Sequence, residues 1–135
     1  MYAEIYIQAK GEQALKEFSD AVCTKLGLAN PQERDSVHHP TGVYYRAIAL
    51  GLKLDIDVAD DHQVADYDFC ISVSPHYAKD VEATVLEGLA DLIAIELTRR
   101  EYAALRLSRD VSSSGMPKTR RRCVLEVDGP RFIKD

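Results

Sequence analysis

A chain of 135 residues with 46% hydrophobic residues and a formal charge of −5 suits one domain, which at this size buries roughly two-thirds of its unfolded surface without a disulfide or metal. Its longest apolar stretch, Val85 to Leu97, is broken by Glu87, Asp91 and Glu96, which excludes a membrane-spanning helix of about 20 apolar residues. Residues 1–98 carry 17 Asp and Glu against 7 Lys and Arg, whereas residues 99–135 carry 5 against 10, so an acidic body repels nucleic acid and anionic membranes and favours a basic partner.

Tyr2 to Ala9 sets Ala3, Ile5 and Ile7 on one side and Tyr2, Glu4, Tyr6 and Gln8 on the other, the period of a half-buried strand. It lacks the basic start and apolar run of a secretory signal, so the protein is expected to stay in the cytoplasm. From Glu12, the positions Leu15, Phe18, Val22 and Leu26 follow one helical stripe, and Gly27 supplies its C-terminal stop. Residues 28–42, with Asn30-Pro31 and Pro40-Thr41-Gly42, read as an exposed loop. Val43–Leu50 and Leu52–Val58 flank Gly51 as a hairpin, Leu52, Leu54, Ile56 and Val58 alternating with Lys53, Asp55 and Asp57. After the acidic residues 59–66, Tyr67, Phe69, Ile71 and Val73 alternate with Asp68, Cys70 and Ser72 as a fourth strand.

Ser74-Pro75 predicts the cap and first turn of a helix reaching Arg99, with Val81, Val85, Leu86, Leu89, Leu92, Ile93 and Leu97 toward the core and Gly88 as its weak point. Tyr102 to Arg109 predicts a further strand, Val111 to Lys118 is Ser/Gly/Pro-rich, and Cys123 to Val127 returns to the sheet. The sum is a single α+β domain over 1–135, with a mobile basic segment around 111–122. It has an antiparallel-rich sheet of four to six strands, two helices packed on one face and the opposite face at least partly open. Cys23, Cys70 and Cys123 are scattered and odd in number, which fits a reducing compartment and thiols used as small core residues.

No catalytic or metal-binding motif is complete, and no cofactor is implied. The strongest local signal is Asp55, Asp57, Asp60, Asp61, Asp66 and Asp68, with no lysine or arginine among them. Such a block is either a solvated hairpin edge that discourages aggregation or a face whose mutual repulsion a cationic protein relieves. It lacks the glycine and terminal glutamate of a calcium loop. His38, His39 and His62 stand near Asp60 and Asp61 in sequence but without zinc-ligand spacing. Ser112-Ser113-Ser114 stands outside any nucleophile motif. Tyr2, Tyr6, Tyr44 and Arg46 share the open face with Asp55, Asp57 and Asp68, as interface anchors or as a lid on the core. Stacked RNA needs cationic surroundings. The cluster Lys118, Arg120, Arg121 and Arg122 offers nucleic acid only weak, salt-sensitive contact. An intramolecular or dimer contact with the acidic body is the more economical use, and a homodimer is compatible with the sequence.

The stretches Glu33-Arg34-Asp35-Ser36, Gly42-Val43-Tyr44-Tyr45-Arg46-Ala47, Ala49-Leu50-Gly51-Leu52 and Asp66-Tyr67-Asp68-Phe69 resemble small immunity proteins encoded beside secreted bacterial toxins, those of contact-dependent inhibition and related polymorphic toxin systems. The resemblance spans residues 33–75 and is a pattern of aromatic and glycine positions. It implies a non-enzymatic, cytoplasmic protein that neutralises one cognate toxin domain. The surface chemistry assigns that binding to Asp55, Asp57, Asp60, Asp61, Asp66 and Asp68 with Tyr6, Tyr44 and Arg46. The alternative is a small enzyme or ligand-binding domain using His38, His39 or His62 with an aspartate in a pocket at the sheet edge.

Overall fold

The computed structural model describes residues 2–9, 11–60, 64–76, 81–109 and 117–134. Where apolar and polar residues alternate, strands form: β1 (Ala3–Gln8), β3 (Val43–Ala49), β4 (Leu52–Val58), β5 (Phe69–Pro75) and β6 (Ala103–Arg109). Where the spacing is three and four, helices form: α1 (Leu15–Lys25) and α2 (Ala83–Arg99). Three further strands complete the sheet, β2 (Gln32–Asp35), β7 (Pro117–Glu126) and β8 (Gly129–Lys134). The order across the sheet is β2-β3-β4-β5-β1-β6-β7-β8, and every neighbouring pair is antiparallel.

The class is α+β as the pattern predicted, but the sheet has eight strands rather than four to six. Gln32–Asp35, expected to be loop, is an edge strand with no apolar residue and four exposed side chains. It is held by backbone pairing, which hydrophobic alternation cannot reveal. Of the expected mobile basic segment, 111–116 lies outside the described residues, while Pro117 to Arg122 begin β7. The long helix starts at Ala83 rather than Pro75, because Ser74 and Pro75 pair with Lys53 and Leu52 as the end of β5. The hairpin of β3 and β4 turns through Leu50 and Gly51, both at positive φ (54° and 73°), the geometry of a two-residue turn that matches strand twist.

Both helices cover one face of the sheet. Phe18, Val22 and Cys23 of α1 and Leu86, Ala90, Ala94 and Leu97 of α2 join Ile5, Ile7, Ile56, Ile71 and Val73 in one buried core. Phe18 stacks on Phe69 with centroids 4.1 Å apart and meets the edge of Tyr102 at 5.7 Å, geometries that aromatic quadrupoles favour. Among these apolar groups lies a full charge. Arg106 pairs with Ile5 across β6 and β1 and is 1% exposed. Its Nε donates to Asp91 Oδ1 at 3.0 Å, and its other nitrogens donate to the Glu87 carboxylate and the Glu4 carbonyl. Arg121 donates to the same Asp91 oxygen at 2.9 Å, so part of the basic cluster makes an intramolecular contact with the acidic body.

This clamp rotates α2 away from its expected orientation. Glu87 and Asp91 turn toward the sheet, and Val85 and Leu92, predicted to face the core, are exposed. Removing one member of a buried charge group costs more than replacing the group by apolar side chains. Asp91→Leu should therefore destabilise the fold by about 3 kcal/mol in urea unfolding, and Arg106→Met added to it should recover at least about half of that loss. Equal stability of the single and double variants would contradict the clamp.

Candidate functional face

Strand order converts the two-residue period into rows. On the face without helices one row runs Gln32, Arg46, Asp55, Ser72, Glu4, Leu107 and Arg120, from β2 to β7. In the neighbouring row Asp57, Cys70, Tyr6, Leu105, Arg122 and Ile133 follow one another from β4 to β8, with Arg34 opposite Tyr44 at the β2 edge. Carboxylates thus occupy the centre, and arginines stand on both flanks.

At that centre a shallow cavity of about 220 Å³ is lined by Glu4, Tyr6, His39, Asp55, Asp57, Val58, Asp60, Cys70 and Ser72. Its edge is built by the loop between β2 and β3. Ser36 N donates to Gly42 O at 2.9 Å, Ser36 Oγ accepts from His38 N at 3.2 Å, and Gly42 N donates to His39 O at 3.0 Å. Gly42 takes φ +77° to close this loop, a conformation that suits glycine. So held, the His39 ring stacks on Tyr44 with centroids 4.2 Å apart, and its Nδ1 is hydrogen-bonded to Asp57 Oδ2. Asp57 Oδ1 accepts from Val58 N at 2.7 Å. Arg46 lies over the Tyr44 ring, 5.4 Å from its centroid, and grips Asp55 through Nε and Nη2 at 2.7 and 3.0 Å, the forked geometry that fixes a carboxylate in orientation. On the far side Tyr6 donates its hydroxyl to Glu4 Oε2 at 2.7 Å.

The face is only partly open. Val64, between β4 and β5, is buried against Tyr6 of β1 and Leu105 and Leu107 of β6, with Ala59, Tyr67 and Cys70 around it. Ala59 N donates to Asp68 O at 2.9 Å, and Asp68 N to Ile7 O at 3.0 Å.

Of the residues singled out in the sequence, Asp55, Asp57, Asp60, Tyr6 and His39 line the cavity, and Tyr44 and Arg46 support its edge. Asp66 is exposed in the turn after Val64 and does not join them. Asp68 corrects the alternation argument: its Oδ2 accepts from Ala9 N at 3.0 Å, tying it to the end of β1 beside Glu12, Gln13 and Glu17 rather than to Asp57. Asp61 and His62 lie outside the described residues, and His38 is exposed away from the cavity. Glu4, Cys70 and Ser72 were not singled out, although alternation already set Glu4 with Tyr6. The missing information was that β1 lies beside β5. Among the described residues no group of three or more His, Cys, Asp or Glu is arranged to hold a metal ion.

The surroundings of Cys70 favour its protonated form. Its Sγ lies 3.7 Å from Glu4 Oε2, and burial, reinforced by the Glu4 carboxylate, pushes the thiol up, which disfavours the reactive thiolate. Comparison with protein-family models, curated proteins and solved structures finds no match to this chain.

Three thiols carry a pH dependence of one sign. Burial, then the charge of Asp20, pushes Cys23 from 9.0 to about 11, and burial raises Cys70 and Cys123 as well. A raised thiol pKa means that the native state favours the protonated form, so the stabilisation is complete below pH 9.0 and is lost as pH climbs through about 11 at Cys23. The unfolding free energy should therefore fall over this range. A Cys23→Ala, Cys70→Ala variant should fall less steeply, and an identical slope would contradict the assignment.

Proposed function

We propose that this chain is a non-enzymatic immunity protein that binds a cognate toxin domain in the cytoplasm and covers a basic, nucleic-acid- or nucleotide-processing site with its helix-free face. The observation that carries this reading is the central group of carboxylates held in fixed orientation: Asp55 by Arg46, and Asp57 by His39 and the Val58 amide. Each ionised carboxylate has about four acceptor positions, so these aspartates keep capacity for a partner's lysine or arginine. Their side-chain ordering is completed before the partner arrives, which lowers the entropic cost of association. Tyr44 is buried, and its ring packs against both His39 and Arg46, so it holds the two side chains that orient Asp57 and Asp55 rather than offering area of its own.

A second reading has one observation in its favour, the His39–Asp57 hydrogen bond, which would orient an imidazole as a general base in a small-ligand pocket. Against it, a cavity of about 220 Å³ is smaller than the roughly 300–1,000 Å³ of most small-molecule sites. A rise in melting temperature with divalent cations or nucleotides, abolished by His39→Gln, would favour the ligand pocket; no rise is expected.

The toxin reading is tested with the protein encoded immediately upstream, mixed with this chain in stopped-flow experiments at two ionic strengths. A 1:1 complex should form, and association should slow as salt rises. Asp57→Asn, at an ordered position, should speed dissociation at least about tenfold, whereas Asp60→Asn, on the exposed rim, should mainly slow association and flatten its salt dependence. Absence of a complex, or salt-independent rates indifferent to both substitutions, would overturn the reading.

A further inference from the structure

The outward face of α2 is unusual for a helix at the surface. From Ala83 to Ile95 its only charged residues are Glu87 and Asp91, and both are drawn toward the sheet by Arg106, with Arg121 sharing Asp91. The charges that ordinarily solvate the outer side of such a helix are spent inside. What remains outside, besides Ala83 and Thr84 in the first turn, is Val85, 49% exposed, Gly88, and Leu92, 63% exposed. These positions share one side of the helix, three, four and seven residues apart. Among the described residues, a Cβ placed at Gly88 would meet nothing within 4 Å. A glycine inside a helix weakens it, and among the described residues no contact compensates.

We propose that this face pairs with α2 of a second copy, antiparallel about a two-fold axis. Leu92 follows Gly88 by one turn, so a two-fold crossing near them sets Leu92 of each copy over Gly88 of the other, where the missing side chain leaves room. The charges at the ends match only in this orientation. Glu82 precedes the helix and exposed Arg99 ends it, and antiparallel pairing brings each beside its opposite in the second copy while the helix dipoles also run opposed. The same patch serves both copies, as a closed two-fold contact requires. A lipid surface fits poorly, since the border of the stripe carries Glu82 and a Glu96 that pairs with Arg99, where a membrane-lying helix carries an excess of lysine and arginine. Because α2 covers the side of the sheet away from Asp57, the contact leaves the acidic face free and stands independently of the function proposed for it.

Sedimentation velocity on the full chain over about 1 to 100 µM tests this, a range that brackets dimers of micromolar affinity. The wild-type chain should pass from monomer to dimer. Leu92→Glu and Gly88→Leu should each raise the dissociation constant at least about tenfold, as changes at the centre of an interface do. Both sites are exposed in the single chain, so an unchanged circular dichroism spectrum and melting curve at low concentration would show that association and not folding was lost. Arg99→Glu should weaken the dimer, and Glu82→Arg added to it should restore association. A wild-type chain that stays monomeric over the whole range, or a dimer indifferent to Leu92→Glu and to the charge exchange, would overturn the proposal.

Discussion

A guanidinium cannot sit unpaired between a sheet and a helix: removing it from water costs several kcal/mol unless carboxylates and carbonyls replace the lost hydration. Arg106 stands in that place, and its partners come from two elements, the Glu4 carbonyl of β1 and the carboxylates Glu87 and Asp91 of α2. Those carboxylates are four residues apart and so share one side of the helix, which fixes the rotation of α2. Leu86, Ala90, Ala94 and Leu97 then reach the core, and Val85 and Leu92 are left outside. Asp91 carries the constraint on to β7 through Arg121, whose guanidinium also lies over Phe132 of β8, 4.7 Å from the ring centroid. The basic C-terminal third is therefore docked on the acidic body through charges that neither could bury alone.

The register that points Arg106 at the helices points Leu105 and Leu107 to the other face, where Val64 covers them. That contact anchors the β4–β5 connection near the carboxylate cavity, and Asp60, on the same connection, joins the cavity rim. The opposite rim depends on the stacked side chains His39, Tyr44 and Arg46. A rigid acidic centre of this kind gives a basic partner both long-range attraction and a prepared contact. The arginines on either side limit where such a partner can sit without repulsion.

How much of this was legible in the sequence depends on distance along the chain. The alternation in Tyr2 to Ala9 and in Leu52 to Val58 places each side chain on its observed face, because a period of two is local. The helical spacing finds Phe18, Val22, Leu86 and Leu97. What failed was not local. Edge strand Gln32–Asp35 has no apolar member to announce it. Ser74-Pro75 has the composition of a helix start, and pairing with β4 overrides it. Val85 and Leu92 read as core until Arg106 is known to demand Glu87 and Asp91. Likewise Asp55, Asp57 and Tyr6 were visible as candidates, whereas Glu4 and Cys70 needed the order β5-β1, and the approach of His39 to Asp57 needed the fold of the 36–42 loop.

The central claim is that the helix-free face, at its acidic centre, is where the protein does its work. Amide hydrogen exchange with and without the protein encoded upstream tests it most directly. Slowed exchange in Ser36–Val58 and in β5, with α2 unchanged, is the predicted result. Slowed exchange confined to α2 or to the β7–β8 hairpin, with Ser36–Val58 unchanged, would contradict it.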